Sequence, residues 1–287
     1  MLLSRKQKFR SVALAVIILP FALVSCSKKD NTTPNNPNPT PTKPADTTTT
    51  TTTKPTYSLV WSDEFNGTSV DTSKWNFETG GGGWGNNEQE YYQAANATVA
   101  NGNLMITAKL ESAGGEPYTS ARMTTLGKEA PTYGRIEARI KVPMGPGFWP
   151  AFWMLGSNIQ TVPWPGCGEM DIMEHINDTG TIYGTMHWAI NAQHSQYGST
   201  INVPTVADYH LYAIEWDQNE IRWYVDSTLY QTGNIQNNIN STGAFHLPFF
   251  IILNFAMGGN FPNTPVNQAL LPATMYVDYV RVYKQTN

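Results

Sequence analysis

Short runs of alternating apolar and polar residues recur through most of the chain and strongly constrain its fold. Residues 135–142 alternate charged with apolar side chains without a break, which is typical of a strand with one buried face. No long stretch shows the period of an amphipathic helix. Many short strands separated by turn residues predict an all-β sandwich or barrel. Gly, Asn and Pro clusters separate the further runs, which lie at residues 104–109, 210–216, 221–225, 249–255 and 275–283.

Composition narrows the possible partners. The chain carries a net charge of −4 and no basic run after residue 30, which argues against nucleic acid and anionic lipid as partners. Nine Trp and fourteen Tyr suit an aromatic β core, and some would also serve as flat platforms for sugar rings. With two cysteines, Cys26 and Cys167, we expect no disulfide within the domain, and Cys167 should be a small buried filler.

The first 56 residues predict export and anchoring rather than a fold. Residues 1–25 combine a basic start with an apolar stretch at 12–24, as in a signal peptide. The stretch ends at Cys26 after a small residue, which resembles the lipidation site of a bacterial lipoprotein in the outer membrane, exposed at the cell surface. Residues 26–56 are dominated by Thr and Pro and should form a disordered linker. We expect one monomeric catalytic domain over residues 57–287.

Residues 168–175 place three carboxylates within one predicted strand. Strict alternation sends Glu169, Asp171 and Met173 to one face and Glu174 to the other. One extra residue between Asp171 and Glu174, a β-bulge, would bring both glutamates to the same face. The alternative is an exposed acidic strand, although acids crowded on one face repel each other.

Paired carboxylates suit cleavage of a glycosidic bond, because one must donate a proton and the other must stay ionised. Crowding pushes the pKa values of neighbouring acids apart, which produces that division. Aspartic-protease chemistry would need a second acidic segment, and none matches. A divalent-metal site would also use carboxylates, but acids flanked by Trp favour sugar chemistry.

The spacing of Glu169, Asp171 and Glu174 resembles the signature of glycoside hydrolase family 16, in the bulged form of laminarinases. The resemblance runs from about residue 57 to 283. It implies a concanavalin A-like β-jelly-roll sandwich whose concave face is the substrate cleft. It also implies a retaining endo-β-1,3-glucanase in which Glu169 is the nucleophile, Glu174 the acid/base and Asp171 an assisting group. The matching sequence words lie at residues 59–65, 84–88, 118–122, 148–154, 167–169 and 277–283.

The same resemblance suggests a set of β-glucan-binding side chains. Trp149, Trp153 and Trp164 would form subsite walls, and Trp84 would shape the entrance. His187 would hydrogen-bond the acids or the sugar. Two further residues, predicted to point at substrate hydroxyls, are Asn87 and Arg122.

No cofactor is expected for catalysis, but the resemblance implies a structural calcium on the convex side, held by Glu64, Gly102 and Asp278. Substrate choice is left open. Mixed-linkage β-1,3-1,4-glucan or a galactan are alternatives, and so is a non-catalytic glycan-binding lipoprotein. The run at residues 149–153 favours laminarin-like glucans. Residues 258–261 and the predicted loop at 193–204 depart from the family pattern.

Overall fold

The structure, a computed structural model, describes residues 55–287. The predicted signal segment, Cys26 and the linker up to residue 54 lie outside the described residues. Residues 55–287 are mostly in β-strands. The strands are interrupted by three 3-10 segments, Ala94–Asn96, Gln236–His246 and Gln268–Leu270. The strands, in chain order, are β1 Tyr57–Asp63, β2 Asn76–Glu78, β3 Glu90–Tyr92, β4 Ala97–Ala100, β5 Asn103–Ala108, β6 Tyr118–Ser120, β7 Arg122–Thr124, β8 Gly134–Lys141, β9 Phe148–Gly156, β10 Glu169–His175, β11 Thr181–Ile190, β12 Gln193–Asn202, β13 His210–Trp216, β14 Glu220–Val225, β15 Thr228–Asn234, β16 Phe249–Met257 and β17 Ala273–Gln285.

Two large antiparallel sheets form the sandwich and confirm the predicted jelly-roll class. One sheet has the order β15-β14-β13-β8-β17-β5-β4, with β1 added beside β17. The other has the order β12-β11-β10-β9-β16-β7-β2, and we call it the acidic sheet because it contains β10. Consecutive strands pair from β9 to β12 and from β13 to β15, whereas the pairs β8 with β17 and β9 with β16 join strands that are distant in sequence. A small parallel pair, β3 with β6, stands apart.

Strand β9 shows how the acidic sheet is buried on one face and open on the other. Phe152 and Met154 are fully buried in the core between the sheets. Trp153 and Leu155 alternate with them and belong to a smaller apolar cluster. Because successive side chains point to opposite faces, β9 serves the core and the outer face at the same time.

The six runs predicted as strands correspond to β5, β8, β13, β14, β16 and β17, which confirms them. The predicted loop at residues 193–204 is wrong, because β12 occupies Gln193–Asn202 and pairs with β11 along its whole length. This edge strand is mostly exposed and polar, so it lacks the alternation that reveals a half-buried strand.

Cys167 is fully buried and packs with the smaller apolar cluster, as predicted. Among residues 55–287, no helix has the length and apolar character needed to cross a bilayer.

Candidate active site

The predicted bulge is present in β10. The register with β11 shifts between Asp171 and Glu174. Ile172 and Met173 are consecutive, yet both are fully buried in the core. Two core residues in succession reverse the alternation, so Glu174 returns to the same face as Glu169 and Asp171. All three acids line one cavity, as the bulge hypothesis predicts.

This cavity has a volume of about 350 Å³, within the range of small-molecule sites. It lies on the outer face of the acidic sheet, and tryptophans form much of its wall. Its lining residues are Trp84, Gly85, Asn86, Glu88, Arg122, Trp149, Ala151, Trp153, Leu155, Trp164, Glu169, Asp171, Glu174 and Asn254.

Burial sets the protonation of the three acids. It raises the pKa of Glu174 well above the usual range, and the charges of Asp171 and Glu169 add to the rise. It also raises the pKa of Glu169 to about 8, with Asp171 adding to the rise and His187 opposing it. Burial raises the pKa of Asp171 to about 8, against a hydrogen bond from Glu169. Burial therefore favours the protonated form of all three acids, while His187, Trp164 and Arg122 favour the ionised form of Glu169.

His187 on β11 lies beside two of the acids. Its Nε2 lies 3.0 Å from Oδ2 of Asp171 and 3.8 Å from Oε1 of Glu169. The approach to Asp171 is short but poorly aligned for hydrogen bonding, so we treat the contact as mainly electrostatic. On the other side, Nδ1 of His187 lies 2.9 Å from Nε2 of His194. Sequence reasoning found no signal for His194, because His194 lies in the polar edge strand β12.

The three predicted tryptophans line the cavity with different partners. Trp149 donates its indole N–H to Oε1 of Glu174 at 2.9 Å. Trp153 donates to Oδ1 of Asn254 at 2.8 Å. Trp164 is 45% exposed and packs on the ring of His194, with the ring centres 4.8 Å apart. Trp164 therefore presents the most open aromatic surface of the three.

Arg122 lies between two aromatic rings at the cavity wall. Its guanidinium carbon is 5.0 Å from the centre of the Trp84 ring and 4.9 Å from that of Trp153. Glu78 forms an ion pair with it. The stacked, paired guanidinium is held rigidly, as a group that binds sugar hydroxyls requires.

Asn87 is placed differently from its neighbours. Its exposed side chain donates to Oδ1 of Asn260 at 2.8 Å and is not among the groups that line the cavity. Asn86 and Glu88, on either side, do line it. Sequence reasoning overlooked both, although they belong to the quoted word at residues 84–88. It also overlooked Asn254, a lone polar residue in the apolar strand β16.

The predicted calcium ligands have other partners in this structure. Both carboxylate oxygens of Glu64 accept from Arg281, at 2.9 and 2.8 Å. Asp278 pairs with Arg139 at 2.7 Å. Gly102 has a left-handed φ of 71°, as its turn between β4 and β5 requires. As they stand, these side chains offer arginine-paired oxygens rather than a free set for a hard cation.

One other group has the spacing of metal ligands. Within residues 55–287, Glu169, Asp171 and His187 are the only three side chains of ligating type whose atoms all lie within 4.8 Å of one another. Glu169 and Asp171 of this group line the cavity, and His187 contacts both of them.

Chemically, the cavity combines buried acids whose protonated forms are favoured, an imidazole that favours ionisation of Glu169, and a rim of indole rings. A proton donor and a nucleophile on the same wall can act on a single bond from two sides. The flat rings suit the apolar faces of sugars.

Comparisons with known proteins agree with this geometry. A family profile described as "Beta-porphyranase A-D, GH16 domain" matches residues 58–285. The clotting factor G alpha subunit of Tachypleus tridentatus is 43% identical over 242 residues, which are 82% of this chain and 35% of that protein. The beta-glucanase of Rhodothermus marinus is 42% identical over 246 residues, 80% of this chain and 86% of that protein.

Solved structures give the same result. The laminarinase from Rhodothermus marinus superposes with a TM-score of 0.76 at 42% identity, over 81% of this chain and 99% of that one. The chain spans only about a third of the clotting factor subunit but most of the length of the Rhodothermus marinus beta-glucanase. By the profile match and these relatives, the chain belongs to glycoside hydrolase family 16.

Proposed function

We propose that this protein is a retaining endo-glycosidase that hydrolyses internal β-1,3-glucosidic bonds of laminarin-like β-glucans. One observation carries the proposal: the β10 bulge turns Glu169, Asp171 and Glu174 into a single cavity, where burial raises the pKa of each acid. The beta-glucanase and laminarinase relatives support the glucan as substrate.

In the first step, the ionised carboxylate of Glu169 attacks the anomeric carbon. The glycosidic C–O bond breaks, and the proton of Glu174 goes to the leaving oxygen. In the second step, the carboxylate of Glu174 takes a proton from water. The resulting hydroxide attacks the same carbon and releases Glu169, which leaves Glu174 protonated again.

Asp171 and His187 regulate the charge of the nucleophile. We infer that Asp171 and Glu169 share one proton, so that Glu169 can become ionised when sugar enters. His187 contacts both acids and favours the ionised form of Glu169. Trp149 stabilises the carboxylate that Glu174 becomes after it gives up its proton.

Glu169→Gln tests the nucleophile. We expect near-complete loss of laminarin hydrolysis with glucan binding retained, because the amide keeps the shape but cannot attack. Asp208→Asn, which changes an exposed acid, is the matched control and should hydrolyse normally. NMR of the first products should show the β-anomer; initial release of the α-anomer would contradict retention, and hydrolysis by Glu169→Gln at the parental rate would contradict the assignment.

A second candidate substrate is a galactan, because the matching family profile is described as a beta-porphyranase domain. Reducing-end release measured in parallel on laminarin, lichenan, porphyran, agarose and carrageenan separates the options. We expect the highest kcat/KM on laminarin. Faster cleavage of lichenan would indicate a mixed-linkage glucanase, and cleavage confined to a galactan would replace the glucan proposal.

We also propose that the protein is a monomeric lipoprotein, anchored through Cys26 and exposed on the outer membrane. The support is the order of basic start, apolar stretch and cysteine within residues 1–26. Expressed in its full length, the protein should incorporate labelled palmitate and sediment with membranes. Cys26→Ser should abolish both, and a soluble, unlabelled parent protein would contradict the anchor.

A further inference from the structure

A second pair of glutamates lies beside the catalytic cavity, and the mechanism does not use it. Glu88 lines the cavity and is 6% exposed. Glu90, two residues later at the start of β3, has no exposed surface at all. A buried carboxylate without a compensating charge is costly, so this pair requires an explanation.

Each carboxyl oxygen of Glu88 accepts a hydrogen bond. Its Oε1 accepts from Asn86 at 3.2 Å and its Oε2 accepts from the hydroxyl of Tyr92 at 2.9 Å. Both contacts come from donors, so Glu88 acts here as an acceptor, which is the role of a carboxylate.

The hydrogen bonding of the Glu90 carboxyl group is incomplete. Its Oε2 accepts from the backbone N–H of Met257 at 2.6 Å. Its Oε1 is fully buried and has no partner that donates to it. Glu88 and Glu90 are both buried and Gln89 between them is exposed, so in this extended segment the two carboxyl groups lie on the same face. Glu88 offers only oxygen atoms to its neighbour, and two carboxylates on one buried face repel each other unless one of them carries a proton.

We propose that Glu90 is a neutral carboxylic acid whose proton is donated to Glu88, so that Glu88 presents a fixed carboxylate to the cavity. Glu90 is thus a positioning residue that acts through Glu88. Burial, followed by the charge of Glu88, raises the pKa of Glu90 well above its usual range, in agreement with a retained proton. Around the pair, the other charged or titratable groups are Tyr92 on β3, Tyr118 opposite Glu90 on β6, and Arg122 on β7.

A series of hydrogen bonds links Glu88 to Trp153 in the cavity wall. Tyr92, which donates to Glu88, accepts from Nδ2 of Asn254 at 3.0 Å. Oδ1 of Asn254 accepts in turn from the indole of Trp153. Because a charged Glu88 can only accept, it sets the direction of each hydrogen bond in this series. The last of these bonds orients the Trp153 ring. We therefore assign Glu88 as an acceptor for a substrate hydroxyl beside Trp153. This substrate role rests on the proposed function, whereas the shared proton is a property of the folded protein alone.

Two variants of Glu90 distinguish the loss of a proton donor from a change in side-chain packing. Glu90→Met removes the donor, so Glu88 faces an apolar neighbour, and we expect KM for laminarin to rise about tenfold. Glu90→Gln keeps a donor toward Glu88 and an acceptor for Met257, so it should rescue most of that loss. Equal impairment of the two variants would overturn the proposal.

Readouts without substrate test the proton directly. In the infrared difference spectrum of the parent minus Glu90→Gln, the carbonyl stretch of a neutral carboxylic acid should appear at neutral pH. A carboxylate band in its place would overturn the proposal.

The pH dependence of stability gives an independent check. Glu90 is neutral when folded but ionises in the unfolded chain above about pH 4.3, so its contribution to stability is lost as pH rises. The Tm of Glu90→Gln relative to the parent should therefore increase between about pH 5 and pH 8. A Tm difference independent of pH rejects the shared proton even if the enzyme is active on laminarin. An inactive enzyme with the expected infrared band and Tm trend would reject only the proposed function.

Discussion

The indole N–H of Trp149 donates to Oε1 of Glu174, whose protonated form is favoured by burial. This hydrogen bond favours the ionised form of Glu174, in opposition to burial and to the charges of Asp171 and Glu169. The proposed proton donor therefore has a built-in partner for the charge it acquires when the glycosidic bond breaks.

Trp149→Phe removes that partner and keeps the ring. We expect kcat on laminarin to fall about tenfold, because a hydrogen bond to a developing charge is lost. The pKa of Glu174 should rise further, which moves the alkaline limb of the kcat/KM profile to higher pH. Trp153→Phe is the matched control, since its indole donates to Asn254; it should leave that limb in place. An unmoved limb in Trp149→Phe would contradict the assignment of Glu174.

His187→Gln should act on the opposite limb. The imidazole lowers the pKa of Glu169, so its removal allows that pKa to rise further above 4.5. Because the nucleophile must be ionised, the acidic limb of kcat/KM should move to higher pH. His210→Gln, which alters a histidine paired with Asp226 on the other sheet, should leave the profile unchanged. A shift to lower pH in His187→Gln would contradict this electrostatic role.

Glu169→Gln should also stabilise the protein. The folded-state pKa of Glu169 is raised to about 8, so the folded state binds its proton more tightly than the unfolded chain does. That contribution is fully present at acid pH and is lost as pH rises through 8. The Tm of the variant relative to the parent should thus increase from about pH 5 to pH 8, measured by calorimetry. A gap that narrows over this interval would show that Glu169 is ionised in the free protein.

Arg122→Lys tests the stacked guanidinium. A lysine keeps the charge but cannot stack between Trp84 and Trp153 or present a planar donor fork. We expect KM to rise by about tenfold with a smaller change in kcat. Arg139→Lys, which changes an arginine stacked on Tyr209, is the control and should keep the parental KM. A parental KM in Arg122→Lys would remove Arg122 from the binding site.

We also propose a test of the structural calcium site that the family resemblance implies at Glu64, Gly102 and Asp278. A bound ion must replace Arg281 at Glu64 and Arg139 at Asp278. The proposal predicts that Tm rises in millimolar calcium, returns to its starting value with chelator and no longer responds to calcium in Asp278→Asn. Equal Tm with calcium and with chelator in the parent protein would reject the site.

Much of the fold could be predicted because strand periodicity is local. The alternation at residues 135–142 and 210–216 corresponds to β8 and β13, since one buried face imposes a period of two. The edge strand β12 could not be found in this way, because neither of its faces is well buried. Local spacing also predicted the bulge in β10. Bringing Glu169 and Glu174 to one face requires one extra residue between Asp171 and Glu174, and the register shifts there.

By itself, the sequence determined the β class, the acidic strand, the need for a bulge and the family resemblance. These follow from neighbouring residues along one strand. Only the tertiary structure decided which distant groups meet: Asn254 with Tyr92 across 162 residues, Glu64 with Arg281 across 217, and Asn87 with Asn260 outside the cavity. The physical reason is that such contacts depend on strand order and on the register between strands. Local periodicity specifies the face on which a side chain lies, but it does not specify the partner opposite.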